Sequence, residues 1–157
     1  MGSDSDWKVM EKATEVLNDM DIPFDVTIAS AHRSPDRTAE YARSARSKGV
    51  RVIIAGAGAA AHLAGSIAAQ TTLPVIGVPL DSSSLKGLDA LLATVQMPAG
   101  VPVATMAIGA AGAKNAAIFA AQILGVGDPE IGKRLEEFKG ELARGVEKKA
   151  EALRRQL

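Results

Sequence analysis

The stretch Phe24-Asp25-Val26-Thr27-Ile28-Ala29-Ser30-Ala31-His32-Arg33-Ser34-Pro35 decides the fold that we expect for this chain. Apolar and polar side chains alternate over residues 24–29, which predicts a strand. Ser34 and Pro35 are typical of a helix N-cap and a first helical residue, and Gly49 supplies the matching stop signal. The stretch is therefore predicted to be a strand, a loop and the start of a helix, as in an α/β fold.

The loop of this unit carries His32 and Arg33 beside the start of the predicted helix. In open α/β sheets, ligands bind at the carboxyl ends of the strands. Histidine as a residue type titrates near neutrality, and arginine presents a permanently charged fork that suits phosphate and carboxylate groups. Taken alone, such a pair is better explained by solvated loop side chains, and it is the rest of the chain that favours a site.

Strand patterns alternate with helix patterns along the rest of the chain. This alternation predicts a three-layer α/β fold, with a doubly wound, mainly parallel sheet between two layers of helices. A length of 157 residues fits one domain, so residues 1–157 are expected to fold together. Further predicted strands cover residues 50–55, 73–79 and 101–107, and predicted helices cover residues 9–20, 59–70, 88–95 and 113–124.

The N-terminal sequence Gly2-Ser3-Asp4-Ser5-Asp6 predicts a turn that leads directly into a helix. A glycine–serine loop of this kind normally follows a strand, but only Met1 precedes it here. We therefore expect the central first strand to be missing from the sheet. We also expect residues ahead of Met1 to supply it, since a sheet without its central strand would be badly destabilised.

Composition argues against several classes of function. Eighteen basic residues balance 18 acidic ones, and no basic stripe with interleaved aromatic side chains is present, so nucleic-acid binding is not expected. The chain has no cysteine, and its two histidines lie in no ligand-spaced motif, so no metal site is expected. Residues 99–113 are uncharged, but Pro102 and several glycines interrupt them, and no signal peptide is recognisable. We expect a cytoplasmic protein without a membrane partner.

The C-terminal segment, residues 128–157, predicts a long helix that Asp128 and Pro129 begin. A narrow apolar stripe follows this otherwise charged helix, so one of its faces must be covered. The part from Val146 onward extends too far for its own domain to cover it, and we expect it to pack on another subunit, with a frayed last turn as the alternative. The stripe consists of Ile131, Leu135, Phe138, Leu142, Val146, Leu153 and Leu157.

Three loops rich in glycine or serine follow predicted strands or open helices: Gly2-Ser3, residues 30–33 and residues 56–58. In a parallel sheet they open on one edge and can converge on one ligand. Their hydroxyls, backbone N–H groups and Arg33 suit a phosphorylated small molecule, and His32 would move protons. His62, one turn further, is by itself better explained as a structural histidine.

A rival interpretation comes from Gly56-Ala57-Gly58, which follows a strand, opens a helix and fits a loose dinucleotide-binding fingerprint. Asp81 lies roughly where an acid that binds the ribose would be expected. Turns of this composition are common in such folds, so the signal is weak.

Taken together, these segments resemble the bacterial-type 5-(carboxyamino)imidazole ribonucleotide mutase family of purine biosynthesis. The resemblance covers almost the whole chain in the right order. It is carried by Met1-Gly2-Ser3-Asp4-Ser5-Asp6-Trp7, Ser30-Ala31-His32-Arg33-Ser34-Pro35-Asp36, Ala55-Gly56-Ala57-Gly58-Ala59-Ala60-Ala61-His62-Leu63, residues 73–79 and residues 95–105.

The resemblance implies a flavodoxin-like subunit of a homo-octamer, with sites between subunits and a C-terminal helix that reaches a neighbour. It also implies a reaction without metal or organic cofactor, in which a carboxylate moves from the exocyclic nitrogen to ring carbon four of the ribonucleotide substrate. By position, His32 is then the general acid and base. The remaining implied roles are nucleotide binding by Ser3, Asp6 and Arg33, and lining of the pocket by Ser30, Gly58 and His62.

A related branch of the family carboxylates aminoimidazole ribonucleotide directly with carbon dioxide. It typically has lysine at the position of Arg33 and lacks the Gly-x-Gly-x-Ala-Ala-His run, so both features favour the mutase. The chain departs from the usual pattern at Ala59, Ala64 and Ala93-Thr94, which affects the detail of the pocket more than the reaction. Two further functions stay open on the sequence alone, a dinucleotide-binding oxidoreductase and a non-catalytic nucleotide-binding or assembly protein.

Overall fold

The computed structural model describes residues 1–156, and within them three parallel strands form one sheet in the order β1-β2-β3. The strands are β1 (Ile53–Gly58), β2 (Val75–Leu80) and β3 (Ala104–Thr105). β1 and β2 pair over their full length, from Ile53 opposite Val75 to Gly58 opposite Leu80. All six residues of β2 are buried, as expected for a parallel strand that has helices on both faces.

Six α-helices surround the sheet within the described part of the chain, and two 3₁₀ turns cover Asp4–Asp6 and Arg46–Lys48. The helices are α1 (Trp7–Asp19), α2 (Pro35–Ser44), α3 (Leu63–Ala68), α4 (Leu88–Val95), α5 (Ala110–Gly125) and α6 (Pro129–Arg154).

Two apolar clusters define the layers on either face of the sheet. On one face, α1 and α5 pack against Ile76 and Val78, and the buried residues of α5 are all alanine or glycine, which lets its backbone approach closely. On the other face, α2 and α3 pack against Ile53 and Val75. The helices therefore lie on both faces of a parallel sheet, and the predicted three-layer, flavodoxin-like α/β architecture is confirmed.

The predicted strand over residues 24–29 is wrong for this structure. These residues are extended but form no ladder with another strand among residues 1–156. Within the described chain their backbone hydrogen bonds go to Met1, whose amino group donates to the Thr27 carbonyl at 3.1 Å and whose carbonyl accepts from the Ala29 amide at 2.9 Å. Alternation of apolar and polar residues determines which side chains face inward. A β-strand also needs hydrogen bonds to a neighbouring strand, and here Met1 is the residue that provides them.

Other boundaries moved by a few residues. β1 begins three residues later than predicted, and β3 is two residues long where residues 101–107 were expected. The helix predicted over residues 59–70 is shortened to α3, because Ala59 has a φ of +50° and residues 59–62 form a turn instead. The helix predicted over residues 9–20 is confirmed with a small shift, and the helix predicted over residues 88–95 has the predicted bounds.

The long C-terminal helix is confirmed as α6. The Asp128 carboxylate accepts from the amides of Glu130 at 3.1 Å and Ile131 at 3.4 Å, which caps its N-terminus. Its first turns pack on α5 through Ile131, Leu135 and Phe138. Further on, the apolar stripe is exposed, and its last residue, Leu157, lies outside the described residues. In the part of the chain that the structure describes, no helix combines the length and the apolar character that a membrane span requires.

Candidate active site

Ser30 organises the loop that carries His32 and Arg33. Its hydroxyl accepts from the Arg33 amide at 3.2 Å and from the Arg33 Nε at 3.4 Å. As predicted, Ser34 is the N-cap residue of α2 and Pro35 its first residue, but the Ser34 side chain makes no capping hydrogen bond. Instead, its hydroxyl accepts from the Ser30 amide at 3.1 Å and donates to the Ser30 carbonyl at 3.2 Å. These contacts close the loop on itself and hold the side chain of Arg33.

Arg33 connects this loop to the N-terminal turn. Its Nη2 donates to the Gly2 carbonyl at 3.0 Å, across 31 residues of sequence. The guanidinium is exposed, so its other N–H groups face solvent beside the start of α1. A fork of donors in this position suits a phosphate or carboxylate of a ligand.

The N-terminal turn is held by a reciprocal capping box. The Ser3 hydroxyl accepts from the Ser5 amide at 3.4 Å, and the Asp6 carboxylate accepts from the Ser3 amide at 2.9 Å. Asp6 is buried, and this burial raises the pKa of its carboxyl, against the opposing influence of the Ser3 amide. Asp4 accepts from the Ser3 hydroxyl at 3.0 Å and from the Ser5 amide, and these hydrogen bonds lower the pKa of the Asp4 carboxyl.

The two histidines of the chain are in direct contact. His32 Nε2 lies 2.8 Å from His62 Nδ1, and the rings meet edge to face with centroids 4.8 Å apart. Both side chains are exposed. One nitrogen of the pair must donate and the other accept, so a single proton is shared between the two rings. The tautomer of His32 is thereby coupled to that of His62.

Gly58 closes the site from the end of β1 through its lack of a side chain. A Cβ at this position would overlap the hydroxyl of Ser82 and lie 3.3 Å from the Leu80 carbonyl. The loop after β2 can therefore approach the loop after β1 closely. From the sequence, this loop is considered only for Asp81 as a ribose-binding acid, although the place of residues 81–84 after a parallel strand puts them at the same edge of the sheet.

The structure thus joins all three predicted loops. Arg33 contacts the N-terminal turn that holds Ser3 and Asp6, and His32 contacts His62 beyond the end of β1. Gly58 takes part through its backbone and its close approach to Ser82. Among residues 1–156, no group of three histidine or acidic side chains is placed to hold a metal ion.

Comparisons with known proteins agree with the family resemblance of the sequence. Residues 1–145 match the model of the family described as AIR carboxylase. The N5-carboxyaminoimidazole ribonucleotide mutase of Thermotoga maritima is 56% identical over 153 residues, which are 98% of this chain and 88% of the relative. The enzyme of that name from Bacillus subtilis is 56% identical over 137 residues, 87% of this chain and 85% of the relative.

Comparison with solved structures finds proteins of the same name group, with closely similar folds. The crystal structure of Treponema denticola PurE superposes with a TM-score of 0.86 at 26% identity, covering 94% of this chain and 91% of that one. A variant of PurE2 from the same organism gives a TM-score of 0.89 at 25% identity, covering 98% and 94%.

Proposed function

The chain belongs to the AIR carboxylase family, and from that premise we propose that it is a 5-(carboxyamino)imidazole ribonucleotide mutase of purine biosynthesis. The enzyme is an isomerase, which moves the carboxylate from the exocyclic nitrogen of its substrate to ring carbon four. Relatives that are more than half identical carry the mutase name, which favours this reaction over direct carboxylation and over oxidoreductase chemistry.

The convergence of the three loops is the observation that carries the assignment. A ribonucleotide monophosphate has an anionic end and a flat base, and the loops offer a group for each. Arg33, with the hydroxyls of Ser3 and Ser30, stands where a phosphate would find charged and neutral donors. Asp6 fixes the turn that carries Ser3 and completes the nucleotide-binding side.

The base would lie against the histidine pair, with Gly58 leaving room at the end of β1. In the first step, His32 donates a proton to the exocyclic nitrogen as the nitrogen–carboxyl bond breaks and carbon dioxide leaves. In the second step, ring carbon four attacks carbon dioxide, and His32 removes the proton from that carbon. His32 gives up one proton in the first step and takes one back in the second. The overall reaction therefore needs no oxidant, reductant or nucleoside triphosphate.

Trapping of carbon dioxide makes the second step effectively unimolecular. In a single chain, however, His32 and His62 are both exposed, and a small neutral molecule would escape from such a site. We therefore also propose that residues 1–157 act as one domain within a homo-oligomer, an octamer by family resemblance, in which a neighbouring subunit covers the site. The exposed end of α6 would pack on a neighbour. We propose that this biosynthetic role is carried out in the cytoplasm.

The test is to incubate the protein with the carboxyamino nucleotide alone, without ATP, bicarbonate or metal. Rapid conversion to the carbon-carboxylated isomer is the expected result. A requirement for added bicarbonate, with aminoimidazole ribonucleotide as the better substrate, would assign direct carboxylation instead. Nicotinamide nucleotide that copurifies with the protein, together with no conversion, would favour the oxidoreductase.

A further inference from the structure

The loop after β2, residues 81–87, lies at the same edge of the sheet as the three loops of the candidate site. Its Ser82 comes two residues after Leu80, which is the register partner of Gly58 at the end of β1. The Ser82 hydroxyl occupies the place that a Cβ on Gly58 would take, and the Ser82 Cβ is 2.8 Å from that position. The space left by the missing side chain of Gly58 is therefore bounded by a hydroxyl group.

This hydroxyl differs from the other serine hydroxyls nearby in having no hydrogen-bond partner among residues 1–156. Ser30 and Ser83 each accept a hydrogen bond from a backbone amide of their own loop, at 3.2 and 3.1 Å. Ser82 is held through its backbone instead, since its amide donates to the Leu80 carbonyl at 3.1 Å, and the residue is exposed. Its backbone is thus fixed while its hydroxyl is available to a ligand.

The order of the elements places Ser82 away from the proposed phosphate end of the site. The N-terminal turn, to which Arg33 bonds, lies along one side of β1 through the bond from the Gly2 amide to the Gly56 carbonyl at 3.3 Å. β2 pairs with the other side of β1. The end of β1 between them leads through residues 59–61 to His62 and its contact with His32. Ser82 therefore borders the end of the site that the base would occupy.

The proposed reaction needs a neutral hydrogen-bond donor at this end. When the bond from the exocyclic nitrogen to the carboxyl carbon breaks, its electron pair stays on the nitrogen, which takes a proton from His32. Carbon dioxide is then uncharged until ring carbon four attacks it and the carboxylate charge returns. A hydroxyl can donate to the carboxylate and to carbon dioxide, and it leaves no unpaired charge while the carboxyl group is neutral.

We propose that the Ser82 hydroxyl donates a hydrogen bond to the migrating carboxyl group and holds carbon dioxide beside ring carbon four between the two steps. This inference rests on the proposed mutase function and assigns it a further substrate-contacting residue. Ser82 transfers no proton, so the acid and base steps remain with His32. Retention of carbon dioxide in this position keeps the second step effectively unimolecular.

The experiment compares the parent with Ser82→Ala and Ser84→Ala. The first substitution removes the hydroxyl from the site. The second removes an exposed hydroxyl from the same loop and is the matched control. Three quantities are measured for each protein: kcat/KM for the mutase reaction, affinity for aminoimidazole ribonucleotide, which lacks the carboxyl group, and entry of label into the product from isotopically labelled bicarbonate with carbonic anhydrase present.

We expect Ser82→Ala to lower kcat/KM roughly 10–100-fold, the effect of losing one hydrogen bond to a charged group. Entry of label should rise severalfold, because carbon dioxide that is held less firmly exchanges with the solution before it is attacked. Affinity for aminoimidazole ribonucleotide should stay within about twofold of the parent, since the lost interaction is with the carboxyl group. Ser84→Ala should change none of the three, and thermal unfolding should be the same for all proteins.

The outcomes separate this inference from the proposed function. If the parent converts the substrate and Ser82→Ala matches it in kcat/KM, the inference is overturned and the mutase function stands. A lower kcat/KM without a rise in label entry, or with an equal loss of affinity for aminoimidazole ribonucleotide, would also overturn it. If the parent neither converts nor binds these nucleotides, the proposed function fails and the inference fails with it.

Discussion

His32 Nε2 lies 2.8 Å from His62 Nδ1, although the two residues are 30 positions apart in sequence. If His32 donates, its Nδ1 is left as a base. If His62 donates, the same Nδ1 carries a proton and can act as an acid. The contact therefore lets one neutral pair present either state to a substrate, and the proposed mechanism requires both.

Substitution of His32 by glutamine tests the acid and base assignment. The glutamine amide extends toward the position of Nε2, and so it can still bond to His62, but it cannot act as a general acid or base. We expect kcat for the mutase reaction to fall by roughly 10²–10⁴-fold, as is usual when a general acid or base is lost. Kinetics is measured beside thermal unfolding and oligomer mass, which should not change. Retention of activity within tenfold of the parent would remove His32 from the mechanism.

His62 is expected to position His32 and exchange its proton, and two substitutions distinguish this role from packing. The amide of His62→Asn lies near the position of Nδ1, whereas that of His62→Gln extends beyond it. We expect the asparagine variant to keep most of kcat and the glutamine variant to lose roughly tenfold or more, with little change in KM. The pH profile of kcat should change in both, since residue 62 can no longer exchange a proton with His32. Identical profiles in parent and both variants would leave His62 with a structural role only.

Much of the fold could be predicted because periodicity reports directly on burial. The helix faces of α1 and α5 and the buried run that became β2 follow from the spacing of apolar residues. Pairing partners do not follow from it. Residues 24–29 alternate like a strand, but among residues 1–156 their backbone hydrogen bonds go to Met1 alone, and the start of β1 at Ile53 is fixed by its register with Val75.

The sequence was enough to predict which loops form the candidate site, but not which atoms in them are in contact. The rule that strand ends in a parallel sheet share an edge brought the Ser30, Gly2 and Gly58 loops together in advance. The contact between His32 and His62 depends on a turn that Ala59 makes with positive φ, which no periodicity reports. Likewise, the approach of Ser82 to Gly58 is a matter of interstrand distance, so this neighbour was missed.

Asp6→Asn should separate stability from function. Burial raises the folded-state pKa of Asp6 above its unfolded value, so the stability it contributes is present at low pH and is lost as pH rises through the folded pKa. Asparagine keeps an acceptor for the Ser3 amide without the charge. We expect the free energy of unfolding of the variant to be at least that of the parent at pH 7. The difference between the two should shrink as the solution is acidified.

The measurements for Asp6→Asn are unfolding free energies across roughly pH 3–7 and kcat/KM for the mutase reaction. The latter should fall roughly 10–100-fold, the effect of losing one hydrogen bond to a charged group. If the stability advantage of the variant over the parent instead grew toward low pH, the raised pKa of Asp6 would be contradicted.

Ala59→Gly should stabilise the turn before α3. Ala59 has a φ of +50°, where a Cβ is strained and glycine is not. Relief of this strain exceeds the extra entropy that glycine gives to the unfolded chain, and we expect a net gain of about 0.5–1 kcal/mol in the free energy of unfolding. Ala60→Gly is the matched control, because Ala60 is not among the residues with positive φ and the change there should cost stability. Equal effects at the two positions, measured by denaturant titration, would refute the argument.

Val146→Glu should break the proposed assembly without unfolding the subunit. Val146 is 68% exposed on α6, and Leu142 and Leu153 on the same stripe are 57% and 60% exposed, so this face buries little within the chain. A carboxylate there costs nothing in a monomer but must be desolvated in an interface. Lys148→Glu places the same side chain two residues on, about 200° around the helix, and should leave the assembly intact.

Sedimentation and thermal unfolding of the Val146→Glu and Lys148→Glu variants distinguish the outcomes. If both remain assembled, the stripe of α6 does not contact a neighbour. In the other outcome, the Val146→Glu variant dissociates and loses mutase activity while its thermal unfolding midpoint is unchanged. Covering of the histidine pair by a second subunit is then the simplest explanation, because Val146 lies on the exposed stripe of α6 and the substitution changes neither histidine.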